Sequence, residues 1–506
     1  MITDAAAFPP HFKFGVATSA YQIEGAIDAD GRGRSIWDTF CDTPGAVERG
    51  ESAAVACDHY HRMPEDVALL RDMGVSSYRF SIAWPRIQPT GTGPANAKGM
   101  AFYDRLVDEL LRAGIRPFPT LYHWDLPQAL EDAGGWPARD TATRFADYAA
   151  LMATALGDRV QDWALFNEPF IFTSRGYLLG RYAPGKRDLG AFLRSVHTVS
   201  LAHGDGFHAI KAVRPQARVG SVFALAPCEP AVDTLADREA AVYADALFNR
   251  LFLDPLFHGT HPAEFLESVP ENVLGQESGD ERRMRAPLDF IGVNCYYRLI
   301  VSAGGERPNL PFFLFSIRND ARSTGGHSDF SGRRATDPHE NPHENGFGTP
   351  YRNPSGTGLR IENAFGRDQG ARTEMGWEIW PNALRDALLL LTERYGPIAI
   401  EVCESGCAFA DVPDADGVVR DSARVTYHQD HLAAVAEAIA GGADVRSYHA
   451  WSLFDNFEWA SGYRPRFGLV HVDYATQRRT LKSSGAWYRT LCQAAQQRQP
   501  WRLPRP

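Results

Sequence analysis

DWALFNEPF (162–170) is the stretch whose reading decides the fold. Its apolar-rich start, 163–166, has the length of a buried strand, and it runs straight into Asn167, Glu168 and Pro169, where a strand must stop. A carboxylate is thus placed at the C-terminal lip of a strand. In a parallel barrel that lip carries the catalytic residues, which poises Glu168 over a pocket with Asn167 as a neighbouring donor and acceptor. Asn and Pro are also ordinary turn residues, so the stretch taken alone equally fits a solvent-facing Glu on a turn.

On either side of it, short β-branched or aromatic runs alternate with amphipathic stretches, and eight strand candidates emerge. They are FKFGVATS (12–19), VSSYRFSI (75–82), IRPFPTLY (115–122), DWALFNE (162–168), ARVGSVFAL (217–225), LDFIGVNCYY (288–297), IAIEVCES (398–405) and VRSYHAWSLF (445–454). Helical spacing lies between them, as in EDVALLRDMG (65–74), FYDRLVDELLRAG (102–114) and HLAAVAEAIAGG (431–442). Eight strands alternating with helices predict a single (β/α)8 barrel over residues 1–506 rather than an open doubly wound sheet. The first strand leads into AYQIEGA, which lacks the GxGxxG phosphate turn.

One region breaks the rhythm. Residues 302–372 are rich in Gly, Pro, Asn, Arg and Asp, with one apolar patch, PFFLFSI (311–317), and a short tandem PHEN repeat at 338–345. Such a long irregular connection is functional or disordered, and its place after the sixth strand puts it on the active-site face. It is expected to shape the leaving-group entrance, with PFFLFSI as an apolar wall; an excursion that merely packs is the other reading.

Composition narrows the function classes. The chain of 506 residues is 44% apolar and 23% charged, ordinary for a globular enzyme. A net charge of -10 and a pI near 5.9, with no clustered Lys and Arg, exclude a phosphate-backbone ligand, so no nucleic-acid partner is expected. No window approaches the roughly 20 apolar residues that cross a bilayer, and the N-terminus lacks the pattern of a secretory signal. Seven cysteines, an odd number scattered along the chain, fit reduced thiols, and the cytoplasm is the expected address. No metal or cofactor is expected: His59, His61, His339 and His343 lack identifiable partner ligands, and Cys403 and Cys407 lack C-x-x-C spacing.

The second acid is Glu404 in IAIEVCESG, again where an apolar strand ends in small turn residues. Two acids on separate strand ends of one barrel would meet across its mouth. Paired carboxylates suit glycosidic bond cleavage, one protonating the leaving oxygen while the other attacks the anomeric carbon or activates water. Spacing alone leaves other barrel chemistries open.

Longer motifs then bear on the choice: FKFGVATSAYQIEGA, YRFSIAWPRIQPTG, PTLYHWDLPQAL, ALFNEP, IGVNCYY, GWEIWP, CESG, WSLFDNFEWASGY and RFGLVHVDY. In these, over nearly its whole length, the chain resembles glycoside hydrolase family 1, a group of β-glucosidase-like enzymes. The resemblance implies a retaining β-glycosidase acting on a small-molecule β-D-glucoside, with β-galactosides and β-fucosides as further candidates. It implies Glu168 as acid/base and Glu404 as the nucleophile of a covalent glycosyl-enzyme, with Arg79, Asn294 and Tyr296 as catalytic support. Physically, the acid must stay protonated near neutral pH while the nucleophile stays ionised. The same resemblance assigns Gln22, His123, Asn167 and Glu458 to the sugar hydroxyls, Trp451 to stacking, Trp124 and Trp459 to ring walls, and Trp377 to the leaving-group site.

Three departures stand out. The nucleophile motif commonly reads Thr-Glu-Asn-Gly in the family, but Cys403 and Ser405 flank Glu404 here. Phe170 stands where a Trp is common. Glu344-Asn345-Gly346 mimics the motif, yet no apolar strand precedes it and it lies before GWEIWP, so Glu344 is read as a solvated loop acid. Transglycosylation and a non-catalytic sugar-binding barrel are the alternatives; retention of both Glu168 and Glu404 speaks against the second. The motifs specify no oligomeric state.

Overall fold

The computed structural model describes residues 8–270, 272–303, 359–363 and 371–497. Eight parallel strands close into a barrel: β1 Lys13–Ala17, β2 Ser77–Ser81, β3 Arg116–Tyr122, β4 Asp162–Asn167, β5 Arg218–Ala224, β6 Phe290–Asn294, β7 Ala399–Ser405 and β8 Val445–Trp451. Each strand pairs with its sequence neighbours and β1 pairs with β8, so the sheet has no edge. All eight expected strands are present, trimmed by one to three residues at most ends. Register is in phase for most of the circuit, as in Gly220↔Phe290 through Ala224↔Asn294 between β5 and β6.

The barrel interior is filled in layers. Near the strand starts, Arg116 on β3 pairs with Glu401 on β7 at 2.9 Å, and Arg218 on β5 with Asp162 on β4 at 2.8 Å. Packed among and above these ion pairs is an apolar group of Phe118, Ala164, Val222, Phe290, Ala399 and Cys403. Both sets fill the lower barrel, beneath the pocket at the C-terminal lip.

Helices cover the outside, among them His59–Met73 after β1, Ala97–Arg112 after β2, Asp140–Leu156 after β3 and Leu189–Val213 after β4. All three helical stretches read from the sequence begin earlier than periodicity suggests, Ala97–Arg112 doing so by five residues, with the Asn96 side chain accepting from the Lys98 N–H at its start. His59–Met73 takes Pro64 into its sixth position, where one missing N–H is tolerated. Ser422–Ala440 starts nine residues before His431 because its first buried face is Arg424, Tyr427 and His428 rather than aliphatic. The terminal helix Ser483–Gln496 returns to the first unit, where the Gln496 amide donates to the Gly74 carbonyl. Among the described residues, no helix is long and apolar enough to cross a membrane.

The 302–372 segment, expected to be irregular, carries regular structure that its composition hid. Leu299–Ala303 pairs antiparallel with Leu359–Asn363 and parallel with Cys228–Pro230 in a small three-stranded sheet. PFFLFSI, the PHEN repeat with His339 and His343, and Glu344 lie outside the described residues. His59 bonds the buried Asp66 at 2.8 Å, and the exposed His61 bonds Asp58. All seven cysteines are free thiols.

Candidate active site

Both acids owe their direction to irregularities in the strands that carry them. On β7, Ala399, Glu401 and Cys403 point into the barrel, so strict alternation would turn Glu404 outwards. The pairing with β6 shifts register between Val402 and Glu404, and Glu404 then faces inwards too. On β4 the pairing with β5 shifts between Ala164 and Asn167. Leu165 and Phe166 both face the helices, and Asn167 returns to the interior. Bulges of this kind re-aim side chains beside active sites. Glu168 then adopts left-handed backbone, φ 49°, as do Trp124 (φ 79°) and Trp459 (φ 53°). Three such non-glycine residues around one pocket mark stored backbone strain at a functional site.

Arg79, fully buried on β2, joins the two acid-bearing strands. Its Nη1 lies 2.6 Å from Glu404 Oε1, its Nη2 donates to Asn167 Oδ1 at 2.7 Å, and its Nε donates to Thr120 at 3.1 Å. The Tyr296 hydroxyl donates to the other oxygen of Glu404 at 2.7 Å. Asn294 donates its amide to Glu168 Oε1 at 2.7 Å and to Asn167 Oδ1 at 3.1 Å. Because Asn167 Oδ1 accepts from two donors, its Nδ2 must donate, and it reaches His123 Nε2 at 3.0 Å. The His123 proton is therefore on Nδ1, a buried atom with no protein partner.

The electrostatics separate the two acids. Burial, and next the charge of Glu404, push the Glu168 carboxyl up to about 8, against the pull of Asn294 and Arg175. Burial raises Glu404 as well, but Arg79 and Tyr296 oppose it strongly, so Glu404 is the more acidic of the pair. Burial, with Arg79 behind it, holds His123 well below the ordinary imidazole range, so it is neutral.

Above the acids lies an open pocket lined by both carboxylates, His123, Asn167, Asn294, Tyr296 and Glu458 together with Trp124, Trp377, Trp451 and Trp459. Every sequence-derived candidate is thus brought to one place. Arg79 and Gln22 support it from behind: Gln22 Nε2 donates to Asn456 Oδ1 at 3.0 Å and the Phe457 carbonyl at 2.9 Å, with Glu458 Oε2 at 3.5 Å. Burial, then Glu404 and Glu168, push Glu458 up to about 8, which lets it donate as well as accept near neutrality. Indole rings form the walls, with Trp124 and Trp459 centroids 4.5 Å apart and Trp377 6.0 Å from Phe467. Such faces cover the C–H side of a sugar ring.

The departures from the usual motif are accommodated locally. Cys403 is packed in the apolar barrel layer, and Ser405 faces the Tyr427 hydroxyl at 3.5 Å. Phe170 packs at a tilt behind Phe248, their ring centroids 4.7 Å apart, and Phe248 and Ile171 take the lining positions. Sequence reasoning missed Arg175, Tyr182, Met375 and Phe467 as lining residues. Phe467 and Met375 sit within or beside the quoted motifs, but Arg175, in a helical turn, and Tyr182, in the loop after it, lie outside them. Among the described residues, no group of His, Cys, Asp and Glu has the arrangement of a metal site.

The profile of glycosyl hydrolase family 1 matches residues 4–497. A β-glucosidase of Agrobacterium sp. is 41% identical over 489 residues, covering 97% of this chain and 96% of that one. A bifunctional β-D-glucosidase/β-D-fucosidase of Bifidobacterium breve is 40% identical over 493 residues, 95% and 97% of the two chains. The solved structure of a family 1 β-glucosidase from Thermotoga maritima superposes with a TM-score of 0.83 at 37% identity, covering 96% of this chain and 98% of that one.

Proposed function

The chain belongs to glycosyl hydrolase family 1 and is an O-glycoside hydrolase, a retaining β-glycosidase, and we propose that Glu168 is its acid/base and Glu404 its nucleophile in cleaving terminal β-D-glucosides. The observation that carries these roles is the asymmetry of the two buried acids. Glu404 is held by Arg79 and Tyr296, which stabilise its ionised form, whereas Glu168 is protonated near neutral pH.

Asn294 occupies Oε1 of Glu168, which leaves Oε2 to carry the transferable proton. In the first step Glu404 attacks the anomeric carbon as Glu168 protonates the glycosidic oxygen, so the C–O bond to the aglycone breaks and an alcohol departs. In the second step water attacks the same carbon, Glu168 takes its proton, and the ester to Glu404 breaks. Net configuration is retained after two inversions.

His123, the Asn167 amide and Glu458 line the pocket with the mixed donors and acceptors that ring hydroxyls need, Gln22 holding Glu458 from behind, with Trp451 beneath the ring and Trp124 and Trp459 beside it. Trp377 belongs to the leaving-group side. β-Fucosides are proposed as further substrates, in keeping with the bifunctional relative, and β-galactosides alongside them. We read the chain as one domain acting in the cytoplasm, the seven unpaired thiols suiting a reducing compartment.

The nucleophile can be identified by trapping. Incubation with a 2-deoxy-2-fluoro-β-D-glucoside bearing a good leaving group should inactivate the enzyme and leave the sugar on Glu404. A label on any other residue, or no label despite inactivation, would remove Glu404 from that role.

A further inference from the structure

Arg175 is a cation in the pocket wall that the double displacement leaves without a task. It lies seven residues after Glu168, in the π-helical turn Ser174–Leu178 that continues Pro169–Thr173. Such turns gather at functional sites because they shift side chains off the α-helical register. The guanidinium lines the pocket beside Glu168, Ile171, Tyr182 and Tyr297. Its Nη1 donates to the Tyr182 hydroxyl at 2.7 Å, and its carbon lies 5.0 Å from the centre of that ring.

Its pairing sets it apart from the other enclosed arginines. Arg79 is matched by Glu404 at 2.6 Å, Arg86 by Glu24 at 2.9 Å and Arg424 by Asp421 at 3.0 Å. Among the described residues, Arg175 forms no ion pair, and Tyr182 takes its one side-chain hydrogen bond. Arg181 and Arg187 add positive charge to the same flank: burial, then Arg175 and Arg187, lower Arg181. Among the described residues Glu168 forms no ion pair with this flank, its Oε1 accepting instead from the Asn294 amide.

We place it toward the aglycone side because it lines the pocket together with Glu168, which faces the leaving oxygen, and with Tyr297, the neighbour of Trp377, although its charge also reaches Glu458 at the sugar subsite. An aromatic wall lies near, with Tyr297 and Trp377 centroids 5.5 Å apart. A planar guanidinium with free N–H donors beside ring faces matches a carboxylate carried on an aromatic ring.

We propose that the leaving-group side of this pocket is built for aryl β-glucosides whose aglycone carries a carboxylate, which the Arg175 guanidinium holds as a specificity-determining residue. This deepens the β-glucosidase reading and rests on it.

The test compares kcat/KM for 4-carboxyphenyl β-D-glucoside and for its methyl ester, in the wild-type chain and in Arg175→Met and Arg175→Lys. The ester is the better leaving group, so leaving-group electronics oppose the expected preference. In the wild type the acid should be preferred by about tenfold or more, mostly through KM, as for a charge-assisted hydrogen bond in an enclosed site. Arg175→Met should bring the ratio to one or below and Arg175→Lys should restore part of it, while any change in Glu168 acidity divides out of the ratio. A wild-type ratio at or below one, or one that Arg175→Met leaves unchanged, overturns the proposal with the glucosidase reading intact. Turnover of neither glucoside overturns the glucosidase reading itself, and this inference with it.

Discussion

Arg79 Nη1 and Glu404 Oε1 lie 2.6 Å apart with both side chains shut off from solvent. The pair bridges β2 and β7 across the barrel mouth, and the second nitrogen of Arg79 holds Asn167 on β4. One guanidinium therefore fixes the orientation of the nucleophile and the backbone segment that presents the acid.

Replacing Arg79 by Met should affect both activity and stability. Loss of one partner strands a buried carboxylate, at a cost of about 3–5 kcal/mol. Glu404 would take up a proton instead, so kcat should fall about 10²-fold or more and the acidic limb of the pH profile should move to higher pH. Thermal melts and pH–rate profiles check this; an unshifted acidic limb would mean that Arg79 does not set the ionisation of Glu404.

Tyr296→Phe removes the hydroxyl 2.7 Å from Glu404 Oε2 while keeping the ring against Trp377. A hydrogen bond to a charged acceptor contributes about 1.5–3 kcal/mol, so a loss of roughly 10- to 100-fold in kcat is expected with little change in Tm. A variant within twofold of wild type would show that Arg79 suffices.

Activity requires the protonated form of Glu168, which burial and Glu404 push up to about 8. kcat/KM should therefore fall as pH rises through that region. In Glu168→Gln this alkaline limb should vanish, with turnover of alkyl glucosides reduced about 10²- to 10⁴-fold. Dinitrophenyl glucoside, whose leaving group needs no proton, should suffer far less in the first step. Equal losses on both substrates would argue against general acid catalysis by Glu168.

The barrel was legible because each strand is a short apolar run closed by turn residues, and β1 to β8 carry that signature independently of one another. The acids were legible as types of residue at strand ends, but not their direction. Counting alternate residues along β7 from Glu401 and Cys403 turns Glu404 outwards, and the register shift that reverses it depends on the neighbouring strand. Arg175 was hidden for a related reason: a π-turn sets its facing, and Tyr182 follows in the loop beyond that turn. The Leu359–Asn363 strand was masked by a glycine- and arginine-rich context, since its pairing with Leu299–Ala303 is supplied from about sixty residues away.

Gly406 has no room for a side chain. A Cβ there would sit 1.8 Å from the Trp451 carbonyl oxygen, a backbone atom that cannot rotate away. Gly406→Ala should therefore displace either the nucleophile turn or the strand end that carries Trp451, with a loss of about 1–3 kcal/mol in stability. KM for glucosides should rise with it. Unaltered melting and kinetics would show that the two segments yield more easily than the packing implies.

Glu458 gives the clearest trade of stability against binding. Its carboxyl ordinarily titrates at 4.5, but burial and the two catalytic acids push it up to about 8 in the folded chain. Between those values the folded state binds more protons than the unfolded state, so this group's stabilising contribution is complete at low pH and is lost as pH rises through about 8. Glu458→Gln removes the titration while keeping the shape. The variant should match wild type near pH 5 and become more stable than it by about 1–2 kcal/mol near pH 9, the group having been held there at a cost to the fold. Sugar affinity should fall at the same time, because the amide fixes which atom accepts and which donates, whereas the carboxyl can place its proton on either oxygen. Melting curves across pH decide the matter: a difference between variant and wild type that stays constant from pH 5 to pH 9 would show that Glu458 ionises normally.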